Sequence, residues 1–132
     1  MHRYMLDTNI VIYVIKRRPI EVLERFNANV GRMVISSITL AELVHGAEKS
    51  AFPERNLRTV EDFISRLDVL SYDQKAAFHY GSIRAELEKK GTPIGLNDLH
   101  IAAHARSEAL TLITNNLREF SRVNGLISDN WL

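Results

Sequence analysis

Short apolar runs alternate with longer amphipathic stretches along this chain, the pattern of strands each followed by a helix. Tyr4 to Leu6 make one such run, and Ile10 to Ile15 extend too far to belong to the same strand, which predicts a turn into helix near Asp7. Pro19 begins a second helix reaching about Asn27, since proline suits a first helical turn, and Gly31 then breaks the pattern. Met33 to Ile35 read as a strand, after which Ser36, Ser37 and Thr39 supply helix-start chemistry for LAELVHGAEKS. Pro53 opens a helix to about Leu67, Val69 and Leu70 give a short strand, and Asp73 caps a long helix to Lys90. GTPIG is a loop. Asn97 or Asp98 is expected to cap a helix through about Ala109, followed by a strand at TLIT and a short helix at LREFSRV.

This alternation predicts an α/β fold: a parallel β-sheet, its strands joined by right-handed crossovers, flanked by helices on both faces. Ligands of such sheets sit beyond the carboxyl ends of the strands, so residues just after strands are the first candidates for chemistry. Four stretches place polar groups there or close by: Asp7 after YML, Glu42 in the helix after VIS, Asp98 in IGLNDLHIAAHA, and Asn115, Asn116 and Glu119 after TLIT. Asp7 reads equally as a helix N-cap. At about 100° per residue Asp98 shares the apolar stripe of Ile101, Ala102, Ala105 and Ala109, so it faces inward or toward a cleft, unless it merely complements the helix dipole. Glu42 lies opposite Leu40, Leu43, Val44 and Ala47, which by periodicity makes it an ordinary solvated glutamate, with Gly46 leaving room one turn later. Glu119 and Asn116 are at helical spacing and can face the same crevice.

Composition narrows the chemistry. A length of 132 residues, 45% of them apolar and 25% charged, suits a single domain spanning residues 1–132 with a real core. With no cysteine, disulfides, thiolate metal sites and cysteine nucleophiles are excluded, and a reducing, cytoplasmic setting is expected. No apolar run reaches bilayer length, so no membrane association is expected. The net charge of +1 announces no global field for nucleic acid. Local clusters remain at Lys16, Arg17 and Arg18 and at Lys89 and Lys90, either solvated helix ends or contacts for flanking phosphates.

Taken together, LDTN after an apolar strand, SSITLAEL with Glu42, NDLHIAAHA with Asp98, and LITNN followed by REF resemble the PIN-domain ribonucleases, specifically the VapC toxins of bacterial toxin–antitoxin pairs. The order and spacing match along the whole chain, and the EKS…PERNL stretch, Glu48 to Leu57, is similar to the enteric-type subgroup. The resemblance implies a PIN domain with an acidic pocket built from Asp7, Glu42, Asp98 and a fourth acid. Many relatives carry aspartate where this chain has Asn116, which makes Glu119 the expected fourth acid and Asn116 a neutral supporting group. Asn9 and Thr114 are further supporting positions. It also implies cleavage of RNA, with initiator tRNA in its anticodon stem-loop as the target of enteric-type members. The implied partners are a VapB antitoxin whose basic tail enters the pocket, a second toxin copy in a homodimer, and operator DNA bound chiefly through the antitoxin.

Carboxylates crowded into one crevice repel each other and take up protons unless a cation holds them ionised. Oxygen donors without cysteine favour a hard cation, so Mg²⁺, with Mn²⁺ as a substitute, is the expected cofactor, held mainly by Asp7 and Asp98. If water is the nucleophile, the products carry 5′-phosphate and 3′-hydroxyl ends. Two histidines offer a rival. His100 and His104 are spaced for a metal or an acid–base pair, yet they fall on the side away from Asp98 and no HExxH glutamate accompanies them, so they are expected to be solvated. His45 and His79 have no visible partners. An aspartate-nucleophile phosphohydrolase of the haloacid-dehalogenase type is a further reading, weakened because Asn9 stands where a second aspartate is needed. A non-catalytic binding module, kept open by Asn116, is the last.

Overall fold

Each strand expected from the apolar runs forms, and all are parallel. The computed structural model describes residues 1–132. In chain order the elements are β1 (Tyr4–Leu6), α1 (Thr8–Lys16), α2 (Ile20–Ala28), β2 (Met33–Ser36), α3 (Ser37–Glu48), α4 (Pro53–Ile64), β3 (Asp68–Leu70), α5 (Gln74–Lys89), α6 (Leu96–Ser107), β4 (Thr111–Ile113), α7 (Leu117–Phe120) and β5 (Ser128–Asp129). The sheet order is β3-β2-β1-β4-β5. The chain thus steps outward from β1 to β3, then crosses back through α5 and α6 to β4 on the other side of β1. That reversal makes the β1/β4 junction the topological switch point, where sheets of this kind leave a crevice.

The period of two along each strand divides the core. Met5, Val34 and Leu112 point to one face and pack with Ile83, Leu87, Ile101 and Ala105 of α5 and α6. Leu6, Ile35 and Ile113 point to the other and pack with Ile10 and Val14 of α1, Val22 of α2, Leu43 of α3 and Val60 of α4. Burial on both faces is why these strands read as continuous apolar runs rather than alternating ones. The helix at Pro53, which could equally have offered its apolar stripe to a partner, turns Val60 and Phe63 into this second core.

Local differences from the sequence reading have local causes. Pro19 is the N-cap of α2 rather than its first residue. The cap of α6 is Gly95, so neither Asn97 nor Asp98 caps it; both lie within its first turn, free to turn their side chains elsewhere. The same helix stops at Ser107 because Ala109 takes a left-handed conformation, φ 55°. Strand β5 has no apolar signature, since Ser128 and Asp129 pair only along the sheet edge. No helix is long and apolar enough to cross a membrane.

Candidate acidic active site

Register brings the first two site residues together. Leu6 pairs with Ile113, and the Asp7 amide donates to the Ile113 carbonyl at 2.9 Å, so Asp7 and Thr114 leave adjacent strands side by side. Thr114 Oγ1 then donates to Asp7 Oδ2 at 2.8 Å and itself accepts from the Asn116 amide at 2.9 Å. The other oxygen, Oδ1, accepts from the Thr8 amide at 2.8 Å, so Asp7 is an N-cap for α1 as well as a buried acid, only 5% exposed. The two readings of Asp7 are compatible: capping fixes the carboxylate at the switch point. Burial raises its pKa, the bonds from Thr114 and Thr8 oppose that, and the charge of Glu42 raises it further.

Asp98 meets this group from α6. It is half-buried, and every influence on it acts in one direction: burial first, then the charges of Asp7, Glu119 and Glu42 push its pKa up to about 6. Four acids, Asp7, Glu42, Asp98 and Glu119, therefore influence one another electrostatically; these are the four that the family resemblance implies.

Glu42 corrects the helical wheel. It is half-buried, with Oε1 accepting from Thr8 Oγ1 at 2.7 Å and Oε2 from Asn97 Nδ2 at 3.2 Å. A single-helix projection cannot register that the N-termini of α1 and α6 converge on this flank of α3. The sequence gives Thr8 and Asn97 no site role of their own; the one signal for each is its place in the chain beside an acid. Asn9, expected to support the site, is exposed on α1, and its neighbour Thr8 makes the contact with Glu42 instead. Asn116 contributes its backbone amide, while its side chain makes no capping bond for α7. Beyond Thr8 and Glu42 a groove of about 540 Å³ runs between α1, α3 and α4, with Gly46 on its wall and Lys16 near its end. A Cβ added at Gly46 would meet nothing within 4 Å, so the space foreseen there exists.

The histidines also differ from expectation. His104 is fully buried, its Nδ1 2.7 Å from Ser36 Oγ and its Nε2 without a partner. His100 is half-buried, stacked on Tyr80 and 2.8 Å from the Tyr72 hydroxyl, and His79 accepts from Arg106 Nε. They are packing residues between helices, since the sequence wheel treated as polar a face that α5 and the Tyr72 loop cover.

The donor set suits a hard divalent cation: carboxylate oxygens only, with Asp98 driven toward protonation by burial and by its neighbours. No group of three or more acidic or histidine side chains is gathered closely enough to hold a metal ion by itself.

Residues 4–126 match the PIN domain family. The chain is 64% identical over 132 residues to a ribonuclease VapC of Haemophilus influenzae, covering all of both. It belongs to the VapC family of PIN-domain ribonucleases. The tRNA(fMet)-specific endonuclease VapC of Shigella flexneri is 58% identical over 131 residues, 99% of each chain. The fold superposes on a chain of the crystal structure of DNA-bound VapBC from Salmonella typhimurium with a TM-score of 0.96, at 58% identity and complete coverage of both. VapC membership sets aside the phosphohydrolase reading.

Proposed function

We propose that this VapC-family chain is a divalent-metal-dependent endoribonuclease toxin that cuts initiator tRNA in its anticodon stem-loop. The observation that carries the reading is the acidic group at the β1/β4 switch point, with Asp98 pushed up to about 6 by burial and by three other acids. Such a cluster is costly unless a cation relieves it, which argues for a function in binding one. Asp7 and Asp98 would hold Mg²⁺ or Mn²⁺, with Glu42 and Glu119 acting through waters or as a second ligand set. A bound cation supplies Lewis acidity toward a phosphodiester and a more acidic water.

The chain's own groups do the rest. Thr8 and Thr114 fix both Asp7 oxygens, so that carboxylate enters the reaction without rearranging. Asp98, its pKa raised by burial and by the neighbouring acids while no cation is present, would be returned to its ionised form by the cation it helps to hold. The exposed Lys16, Arg17 and Arg18 at the end of α1 hold phosphates that flank the cut. Attack by water leaves 5′-phosphate and 3′-hydroxyl ends. The tRNA target rests on the named activity of the Shigella relative and on the accessibility of unpaired bases in a loop.

The DNA-bound VapBC structure from Salmonella and the Rickettsia felis VapBC2 structure bound to a fragment of its promoter support a VapB-type antitoxin as partner and operator DNA as a ligand of the pair, which we take to be bound chiefly through the antitoxin. The groove beside Glu42 gives an antitoxin segment a path to the acids, where a basic tail would compete with the cation. A homodimer completes the expected assembly.

The test is incubation of antitoxin-free protein with initiator tRNA and bulk tRNA, in Mg²⁺, Mn²⁺ or EDTA, beside Asp7→Ala and Asp98→Ala. Metal-dependent cuts with 5′-phosphate ends, absent from both variants, are expected. Equal cleavage by the wild type and the variants in every condition would leave the chain a non-catalytic binding module.

A further inference from the structure

Glu42 is the acid whose place in the site least follows from its own helix, and its carboxylate is held at both oxygens. Thr8 Oγ1 donates to Oε1 at 2.7 Å, and Asn97 Nδ2 donates to Oε2 at 3.2 Å. Each donor is the chain neighbour of another acid: Thr8 follows Asp7, and Asn97 precedes Asp98. One carboxylate on α3 is thereby tied to the first turns of both α1 and α6, the two turns that carry the principal acids.

Two properties of the donors bear on chemistry as well as packing. Both are neutral, so they fix the Glu42 carboxylate without cancelling its charge, as an arginine or lysine would. Thr8 is also well anchored, while Asn97 is exposed and makes the longer of the two contacts. Thr8 is β-branched and stiff about χ1, its amide is engaged with Asp7, and its hydroxyl lies 3.4 Å from the buried Thr39 Oγ1. The charge of Glu42, held there, reaches both Asp7 and Asp98 and raises the pKa of each.

We propose that Thr8 and Asn97 form a two-armed clamp that positions the Glu42 carboxylate within the acidic site, an assignment that rests on the nuclease reading above. They are positioning residues acting through Glu42. A freely rotating glutamate would spend much of its time in solvent, and the clamp removes that freedom before substrate arrives.

The experiment compares Thr8→Val, Thr8→Ser and Asn97→Leu, alone and combined with Glu42→Gln. It reads kcat and KM on initiator tRNA, and Mn²⁺ binding by calorimetry without RNA. Thr8→Val and Asn97→Leu should each lower kcat about tenfold with KM changed less than about twofold, and weaken Mn²⁺ binding several-fold. Thr8→Ser should keep near-normal values, and neither Thr8→Val nor Asn97→Leu should cost more once Glu42→Gln is present. Equal losses in the Glu42→Gln background, or a Thr8→Ser as poor as Thr8→Val, would reduce the contacts to helix packing and overturn the clamp. A wild type that cuts no RNA rejects the nuclease reading alone, because the Mn²⁺ arm still reads the clamp. Weaker binding in Thr8→Val that Glu42→Gln does not deepen upholds it; binding unchanged in the variants, or absent from the wild type, overturns it.

Discussion

Asp98 and His104 lie on the same helix, less than two turns apart, and burial displaces both titrations in opposite directions. At Asp98 burial, joined by three acids, favours the protonated form; at His104 burial favours the neutral ring, with Glu108 and Asp73 opposing it and Lys75 adding to it. The difference lies in what each can recruit. Asp98 stays half-buried beside other acids, where a cation would restore its charge. His104 is fully buried against Ser36 and edge-on to Tyr72. The same physical penalty becomes a demand for a ligand at the sheet edge and a structural constraint in the core.

The strongest way to break this contrast is mutation to alanine. Asp98→Ala should cut the cleavage rate by about 10²–10⁴-fold, measured on initiator tRNA, whereas His104→Ala should leave the rate per folded molecule nearly intact. Stability should rank them in reverse. His104→Ala removes a fully buried side chain and should cost about 2–4 kcal/mol in urea unfolding, while metal-free Asp98→Asn at pH 7 should be no less stable than the wild type.

Dependence on pH sharpens the comparison. Asp98 has a folded pKa of about 6, above its ordinary 3.8, so its contribution to stability is full below 3.8 and lost as pH rises through about 6. His104 is depressed below its ordinary 6.5, so its contribution is present above 6.5 and lost as pH falls through the folded value. Thermal unfolding of metal-free protein should therefore lose its decline between about pH 4 and 6 in Asp98→Asn, and its decline below about 6.5 in His104→Gln. Added Mg²⁺ should stabilise the wild type above pH 6 and stabilise Asp98→Asn less. The smallest effect is expected from Asn116→Asp. One more carboxylate at the crevice should tighten Mn²⁺ binding about two- to fivefold in calorimetry and slightly lower the metal-free melting temperature.

The fold and the site were unequally legible in the sequence. Strands β1, β2 and β4 announced themselves because burial leaves an apolar run, as in YML and MVI, whereas β3 at the sheet edge showed only as the pair Val69 and Leu70. Asp7 and Asp98 were visible for a related reason: a charge at the end of such a run, or on an apolar stripe, contradicts its surroundings. Glu42 contradicted nothing on its own helix, and His104 looked polar on a helix that is buried almost all round. Both misreadings come from projecting a helix as if one face met the core and the other met water.

What the sequence determined by itself is the alternation of elements, the acids at strand ends and the absence of any thiol. These are properties of single residues and their near neighbours. Only the tertiary structure decided that Thr114 supports Asp7, that Thr8 and Asn97 hold Glu42, and that His104 is enclosed, with burial favouring its neutral ring. Each of those depends on which helix ends and strand ends meet, and the strand register and the crossover back to β4 bring together residues as far apart in the chain as Asp7 and Thr114.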